Sequence, residues 1–426
     1  MARGIKMTTP CLSSFAQTLV TETAFDVLAL AKALKAKGKQ VIELQIGDSP
    51  FNSTASALKE GVRAIEQGMT HYCPSPGLPT FRQTIANFLT KELNTTISAA
   101  EVVVASGAKV FEQLFCEAFL DPGDEVLVFT PHFPTYPPNI SRRGGHMVLA
   151  PLRQEQEFRP DISHVRSFTK RPKARAVFLN SPHNPTGGVA TRQDLEELGQ
   201  ALAGTDIALF SDEPYCHMVW RGEHVSPLQV PSLRDRTVAC YTFSKSYSMS
   251  GWRLGYAVAP PPIADRLARM INTAFSCTPP FVQLAGQAAL ENDTTERDDQ
   301  MDQFRRKVQV LVQALRKVDG VQVLDPAGTF YVFPRVTDIC QRLQITSHGL
   351  ALFLLEAADD NQGVACLGGE CFGEAGQGFL RFSCAEPDDQ LVRAVDFLAE
   401  AVTRTDRVAK FLQERPKYRL APQHKA

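Results

Sequence analysis

An α/β fold, a mostly parallel sheet flanked by helices, is predicted by three features of this 426-residue sequence. Short apolar runs alternate with helical patterns through the middle of the chain, the signature of strand–helix–strand units. The runs at 101–105 (EVVVA) and 125–129 (EVLVF) are near-continuous rather than alternating, so both faces of each strand are expected to be covered. The chain is also too long for one small core, which favours two domains or one large domain with an appended one.

Taken in order, residues 24–36 read as a helix and 41–44 as a strand. The strand at 101–105 leads into helical periodicity over 108–120. Asp121-Pro122-Gly123-Asp124 then makes a turn before the strand at 125–129. Further strands are expected at 174–179, 207–210 and 237–243. Residues 291–302 are polar and acidic and lead into a helical pattern that runs to Val318. A domain change is placed there. Strands near 329–333 and 378–383, with a helix at 347–358, then form a smaller α/β domain. The expected division is 1–47 packing with the small domain, 48–290 as the large domain, 291–404 as the small domain, and 405–426 as a tail, either helical or disordered.

Composition narrows the class. Apolar residues make up 44% and charged residues 21%, as in an ordinary globular protein rather than a disordered one. The net charge of -1 supplies no field for nucleic acid or an acidic membrane surface, and neither partner is expected. No apolar run reaches the roughly 18 residues of a membrane span. The ten cysteines show no C-x-x-C pair and no zinc-ligand spacing; Cys366 and Cys371 are the closest two. They read as reduced, mostly buried thiols of a cytoplasmic protein, with no metal. Residues 1–19 hold Arg3 and Lys6 but no continuous apolar core, so no secretory signal is expected. Met7 offers an alternative start.

Four short segments fall at strand ends, where ligands bind in doubly wound sheets. In Thr242-Phe-Ser-Lys245 a lysine directly follows an apolar strand. A buried ammonium is costly, and a desolvated lysine amine serves as a nucleophile toward a carbonyl. Alone, a lysine facing solvent is the commoner case. Asp212, in Phe210-Ser-Asp-Glu-Pro-Tyr215, could keep a pyridine nitrogen protonated and make the ring an electron sink. Alone, it is as well explained as a cap or turn aspartate. Tyr215 is placed to reach the same ligand.

The third segment is Asn180-Ser-Pro-His-Asn184-Pro-Thr-Gly-Gly188. It is a stiff turn that could hold the Asn184 amide against a ligand oxygen, or be turn chemistry only. The fourth, Ala105-Ser-Gly107-Ala108-Lys109, joins a strand to a helix. Its small residues would let a phosphate reach the free N–H groups of the first turn; an ordinary connection is the alternative. Arg253, in Ser250-Gly-Trp-Arg-Leu-Gly-Tyr256, could fork onto that phosphate or lie on the surface. No G-x-G-x-x-G or G-x-x-x-x-G-K-[ST] occurs, so dinucleotide and P-loop readings are poor.

The order of these elements is a small-residue turn, N-P-T-G, D-E-P-Y, then S-K followed by G-W-R-L-G-Y. That order resembles the class I/II aminotransferases, the aspartate-aminotransferase-like, fold type I pyridoxal-phosphate enzymes, over residues 24–400. The resemblance implies a seven-stranded sheet in a large cofactor-binding domain, plus a smaller domain built from both chain ends. It implies pyridoxal 5'-phosphate as cofactor and a homodimer with shared active sites. Lys245 matches the lysine that holds the cofactor as an aldimine and shuttles the proton between Cα and C4′. Asp212 matches the partner of the pyridine nitrogen, and Asn184 and Tyr215 those of the ring hydroxyl. Phe133, in Pro131-His-Phe-Pro-Thr-Tyr-Pro137, matches the aromatic stacked on the ring. Ala108 and Lys109 match the phosphate-binding N–H groups, completed by Thr242 and Arg253. Tyr72, in Thr70-His-Tyr-Cys-Pro-Ser-Pro-Gly77, resembles the tyrosine that reaches the neighbouring subunit's phosphate. Arg381, in Phe379-Leu-Arg-Phe-Ser383, resembles the arginine that forks onto the substrate α-carboxylate, and Gly47 the glycine whose backbone touches it. Phe133 and Tyr72 could instead be plain core or interface aromatics, and Arg381 a surface strand arginine.

The expected reaction moves an amino group from an L-amino acid to a 2-oxo acid. The alternative is another reaction on the same scaffold: a β- or γ-lyase, a cyclase or an oxidase. A catalytically dead binding domain is a third reading, opposed by the intact Lys245, Asp212, Asn184 and Arg253. Many relatives carry G-E-P-D-F where this chain reads Gly47-Asp-Ser-Pro-Phe51, which leaves the substrate side open. Lys109 favours an acidic substrate, because in some aspartate-using relatives a lysine here meets the distal carboxylate. Phe25 suits an apolar side chain. Asp26 suits a basic one, or simply the helix N-terminus.

Overall fold

The structure, a computed structural model, describes residues 10–19 and 23–421. Arg3, Lys6 and Met7 lie outside that range, as do the last residues of the tail. Twelve strands are present among the described residues. In chain order they are β1 (Gln40–Glu43), β2 (Val102–Ala105), β3 (Glu125–Thr130), β4 (His146–Pro151), β5 (Ala174–Asn180) and β6 (Ala208–Asp212). β7 (Thr237–Thr242), β8 (Gly255–Val258), β9 (Tyr331–Val332), β10 (Gln362–Ala365), β11 (Leu367–Gly368) and β12 (Leu380–Ser383) follow.

Seven strands form one sheet in the order β2-β8-β7-β6-β5-β3-β4. β8 pairs antiparallel with both neighbours, and the other four pairings are parallel. The mostly parallel seven-stranded α/β fold is therefore observed. β4 and β8 escape a search for apolar runs. β4 is an edge strand whose residues are largely half-exposed, and β8 is four residues long inside the Gly251–Tyr256 motif.

Alternate residues enter different cores, because successive side chains on a strand point to opposite faces. Val126, Val128, Phe178 and Phe210 pack on one face with helices Lys109–Phe119 and Pro261–Phe275. Leu127, Val177, Leu179 and Leu209 face the opposite core, shared with Phe304 and Leu311 of helix Thr294–Leu315.

β1 pairs in parallel with β10, Gln40 opposite Gln362. The segment near the start of the chain is thereby stitched to its last quarter. β11, β12 and β9 form a third, antiparallel sheet. Of the two expectations for the tail, helix is the one observed: Thr405–Glu414 buries Val408, Phe411 and Leu412. All ten cysteines are free and five are buried. Among the described residues no helix is long and apolar enough to cross a membrane.

Candidate active site

The carboxyl ends of β2, β5, β6 and β7 open on one side of the large sheet. Ladder register sets Asn180 beside Asp212 and Asp212 beside Cys240. A cavity of about 480 Å³ lies over these ends, a size suited to a small ligand. It is lined by Gly47, Ala108, Lys109, Phe133, Asn184, Asp212, Tyr215, Thr242, Lys245, Arg253 and Arg381. Eleven of the twelve residues matched to cofactor or α-carboxylate positions thus converge. Tyr72 does not: it is 89% exposed, away from this cavity.

Lys245 stands in the loop after β7. Its Nζ donates to the Gly47 carbonyl at 2.5 Å, so the solvent-facing reading of this lysine fails. Gly47 must lack a side chain, because a Cβ there would fall 1.7 Å from Tyr331 Oη. Asp212 is the last residue of β6 and is buried. Its Oδ2 accepts from Tyr136 Oη at 2.5 Å. Burial pushes this carboxyl above the usual carboxylate range, and the Tyr136 hydrogen bond draws it back. Glu112, in the first turn of helix Lys109–Phe119, lines the same floor. Burial, and next the charge on Asp212, push its carboxyl well above the ordinary range.

Asn180 secures the turn that carries Asn184. Its Nδ2 donates to the Asp212 carbonyl at 2.8 Å and its Oδ1 accepts from the Asn184 N–H at 2.8 Å. Asn184 Nδ2 lies 3.4 Å from Tyr215 Oη, which lies 3.1 Å from Tyr331 Oη. Burial, then Tyr331, raise the Tyr215 phenol far above its ordinary range, so it remains a protonated donor.

Arg381 is only 4% exposed, which removes the reading as a surface arginine. Its Nη1 donates to Asn184 Oδ1 at 3.1 Å and its Nη2 to the Gln45 carbonyl at 2.6 Å. The guanidinium lies 4.3 Å from the Tyr331 ring centroid and 5.0 Å from that of Phe372. Its Nε is buried without a hydrogen-bond partner. A buried donor in that state is open to an acceptor from outside the chain.

The Ser106–Lys109 turn meets Arg253. Gly107 has φ +90°, and a Cβ there would come within 2.2 Å of Arg253 Nη2. Arg253 itself is exposed, with its Nη1 on the Ser250 carbonyl at 2.9 Å. Thr242 Oγ1 donates to Ser244 Oγ at 2.9 Å. Free N–H groups of a helix start, two hydroxyls and a guanidinium form a cradle for a dianion. From the same turn, the ammonium of Lys109 stands 5.1 Å from the Phe133 ring centroid.

Phe25 lines the cavity and is 53% exposed. Asp26 is exposed and does not line it, leaving its place in the first turn of helix Thr23–Ala36 as its visible role. Sequence reasoning missed Glu112, Tyr136 and Tyr331. Tyr136 lies in the quoted Pro131–Pro137 segment, but only Phe133 was singled out there. Glu112, three residues beyond Lys109, carries no signal until its burial is known.

An anion cradle, a buried acid 8% exposed and a lysine lining the same cavity fit a phosphorylated pyridine aldehyde. Gly107 leaves no room there for a side chain, and Arg381 Nε has no acceptor within the chain. Residues 39–398 match the family model described as aminotransferase class I and II. The chain is 35% identical over 397 residues to a probable aspartate/prephenate aminotransferase of Aquifex aeolicus, covering 92% of this chain and 98% of that one. It is 31% identical to an arginine–pyruvate transaminase of Pseudomonas aeruginosa, covering 91% and 98%. Its fold is similar to that of the aspartate aminotransferase of Thermus thermophilus solved with maleate. That match has a TM-score of 0.86 at 30% identity and covers 92% of this chain and all of the other.

Proposed function

The chain belongs to the class I and II aminotransferases, and from that premise we propose that it binds pyridoxal 5'-phosphate at Lys245 and moves amino groups between an acidic L-amino acid and 2-oxo acids. The enzyme is an aminotransferase. The observation that carries the cofactor assignment is the convergence of Lys245, Asp212 and the Gly107–Arg253 cradle on one cavity. Bound there, the cofactor supplies an electron sink for the electrons released when the substrate Cα–H bond breaks.

The chain's own residues do the rest. The backbone N–H groups of Ala108 and Lys109, with Thr242 and Arg253, hold the phosphate. Asp212 would pair with the ring nitrogen and keep a proton on it. Asn184 Nδ2 and Tyr215 Oη would donate to the ring hydroxyl, and Phe133 would pack against the ring. Arg381 would fork onto the substrate α-carboxylate, beside Gly47 and Asn184, and so fix which Cα bond is presented for cleavage. Lys245 Nζ, tethered near Gly47, is the base that carries the proton from Cα.

An acidic substrate is supported by Lys109, whose ammonium lines the cavity, and by relatives named as aspartate aminotransferases. A homodimer is supported by an exposed apolar stripe. Leu58, Val62, Ile65 and Met69 are 38–56% exposed along helix Ala55–Glu66 and the turn after it, and Tyr72 follows directly. Such a stripe calls for a cover. A division into a large domain, 48–290, and a small one, 291–404 joined by 1–47, is supported by the β1–β10 pairing. Ten free thiols favour the reducing cytoplasm.

The test is the visible spectrum of the purified protein as single amino acids are added. Bleaching of the cofactor band by aspartate or glutamate, and its return with a 2-oxo acid, is the expected result. Ammonia release without stable bleaching would overturn the transaminase assignment.

A further inference from the structure

The floor of the cavity holds two carboxyls where the proposed chemistry uses one. Glu112 is 3% exposed and Asp212 8% exposed, and both line the cavity. Glu112 Oε2 accepts from Thr135 Oγ1 at 2.5 Å and from Asn139 Nδ2 at 3.2 Å. Asp212 Oδ2 takes the Tyr136 hydroxyl. Thr135, Tyr136 and Asn139 lie at the start of helix Tyr136–Arg142, so one turn of chain holds both acids side by side.

Titratable groups face Glu112 from four directions. Asp212 stands on β6. Tyr136 stands on the helix above, Cys240 on β7, and Lys109 and Cys116 on the helix of Glu112 itself. Lys109 supplies one positive charge and acts on both acids, while buried Glu213, next to Asp212 in the chain, pushes Asp212 up further. Two buried carboxylates against one ammonium leave a net negative charge in a low-dielectric floor, which is costly unless one acid keeps its proton. A second cation over the floor removes that cost.

We propose that Glu112 is a positioning residue acting through Asp212: it keeps a proton while no cation covers the floor, and gives it to solvent when the pyridinium ring of the cofactor settles over Asp212. The reading rests on the cofactor assignment above. It makes cofactor affinity depend on proton release from Glu112, and it puts a second negative charge beneath the ring nitrogen. The proton balance is simple: one O–H bond of Glu112 breaks, its electron pair remains on the carboxylate, and the proton passes to buffer.

The test counts protons. The full chain freed of cofactor is titrated with pyridoxal 5'-phosphate at pH 7, by calorimetry, in two buffers of different ionisation heat. Wild type is compared with Glu112→Gln, which keeps the shape and cannot ionise. Protons released by the Lys245 ammonium on condensing with the aldehyde, and by the phosphate, are common to both and cancel. Wild type is expected to release about one proton more per site than Glu112→Gln. Equal counts, with both proteins binding cofactor, would overturn the proposal and leave the cofactor assignment intact. If wild type binds none, the cofactor assignment falls and this inference falls with it. If Glu112→Gln melts far below wild type, Glu112→Met, of similar length and uncharged, carries the same comparison.

Discussion

Arg381 Nη1 donates to Asn184 Oδ1 across 3.1 Å, although 197 residues separate them. The bond sets the orientation of the Asn184 amide, because an arginine can only donate. Oδ1 must face Arg381, so Nδ2 is turned toward Tyr215 Oη. The group assigned to the substrate carboxylate therefore also aims the group assigned to the ring hydroxyl.

Arg381→Lys keeps the charge and loses the planar fork. KM for the amino acid should rise roughly 10- to 100-fold, the loss of about 1.5–3 kcal/mol of charge-assisted hydrogen bonding. Cofactor affinity should change far less, by no more than the share owed to the Asn184 amide that Arg381 orients. Steady-state kinetics with a spectroscopic cofactor titration check both, and an unchanged KM would remove Arg381 from the substrate site.

Lys245→Ala should abolish turnover. Borohydride reduction of the loaded wild type, followed by peptide mass analysis, should find the cofactor on Lys245; the variant should carry no adduct. An adduct elsewhere on the wild type would assign the wrong lysine.

Tyr136→Phe removes the hydroxyl that donates to Asp212. That hydrogen bond lowers the Asp212 pKa against burial, so its loss should raise it further. Activity that needs ionised Asp212 is lost as pH falls through that pKa, so the acid limb of the kcat profile should move to higher pH. A fall in kcat of about tenfold is expected, corresponding to about 1–1.5 kcal/mol.

Gly47→Ala would put a methyl group 1.7 Å from Tyr331 Oη. Overpacking of this kind costs about 1–3 kcal/mol, and both melting temperature and kcat/KM should drop. Adding Tyr331→Phe should recover part of the melting temperature. An additive double variant would show that Tyr331 is not what the methyl meets.

Asp194 predicts an acid-sensitive component of stability remote from the cavity. Burial raises its pKa, but Arg159 and Thr191 outweigh that and hold it below the ordinary value. Arg159 Nε and Nη2 donate at 2.9 and 2.7 Å. Asp194→Asn should cost about 1–2 kcal/mol at pH 7, discounted because Arg159 is partly exposed. A depressed folded pKa stabilises above the unfolded value and is lost as pH falls through the folded one. The gap in melting temperature should thus be full above about pH 4 and shrink below it; a gap independent of pH would refute the ion pair.

The sequence by itself determined the α/β class and picked out the residues that the fold gathers around one cavity. Asp212 closes the apolar strand β6 and Lys245 follows the apolar strand β7, so local apolar runs and contiguous motifs were enough to place both at the carboxyl ends of neighbouring strands. Tertiary structure alone decided what those groups meet. Edge strand β4 and the four-residue β8 lacked a strong local pattern. Arg381 reads locally as one more strand arginine; only the packing of Tyr331 and Phe372 around it makes it a buried donor with an open Nε. Glu112 has helical spacing and polar character, the marks of a solvated face. It becomes a buried acid because helix Tyr136–Arg142 closes over it and β6 sets Asp212 beside it. Burial and the charge of a neighbour distant in sequence are sums over the folded surroundings, and no local pattern of residues contains them.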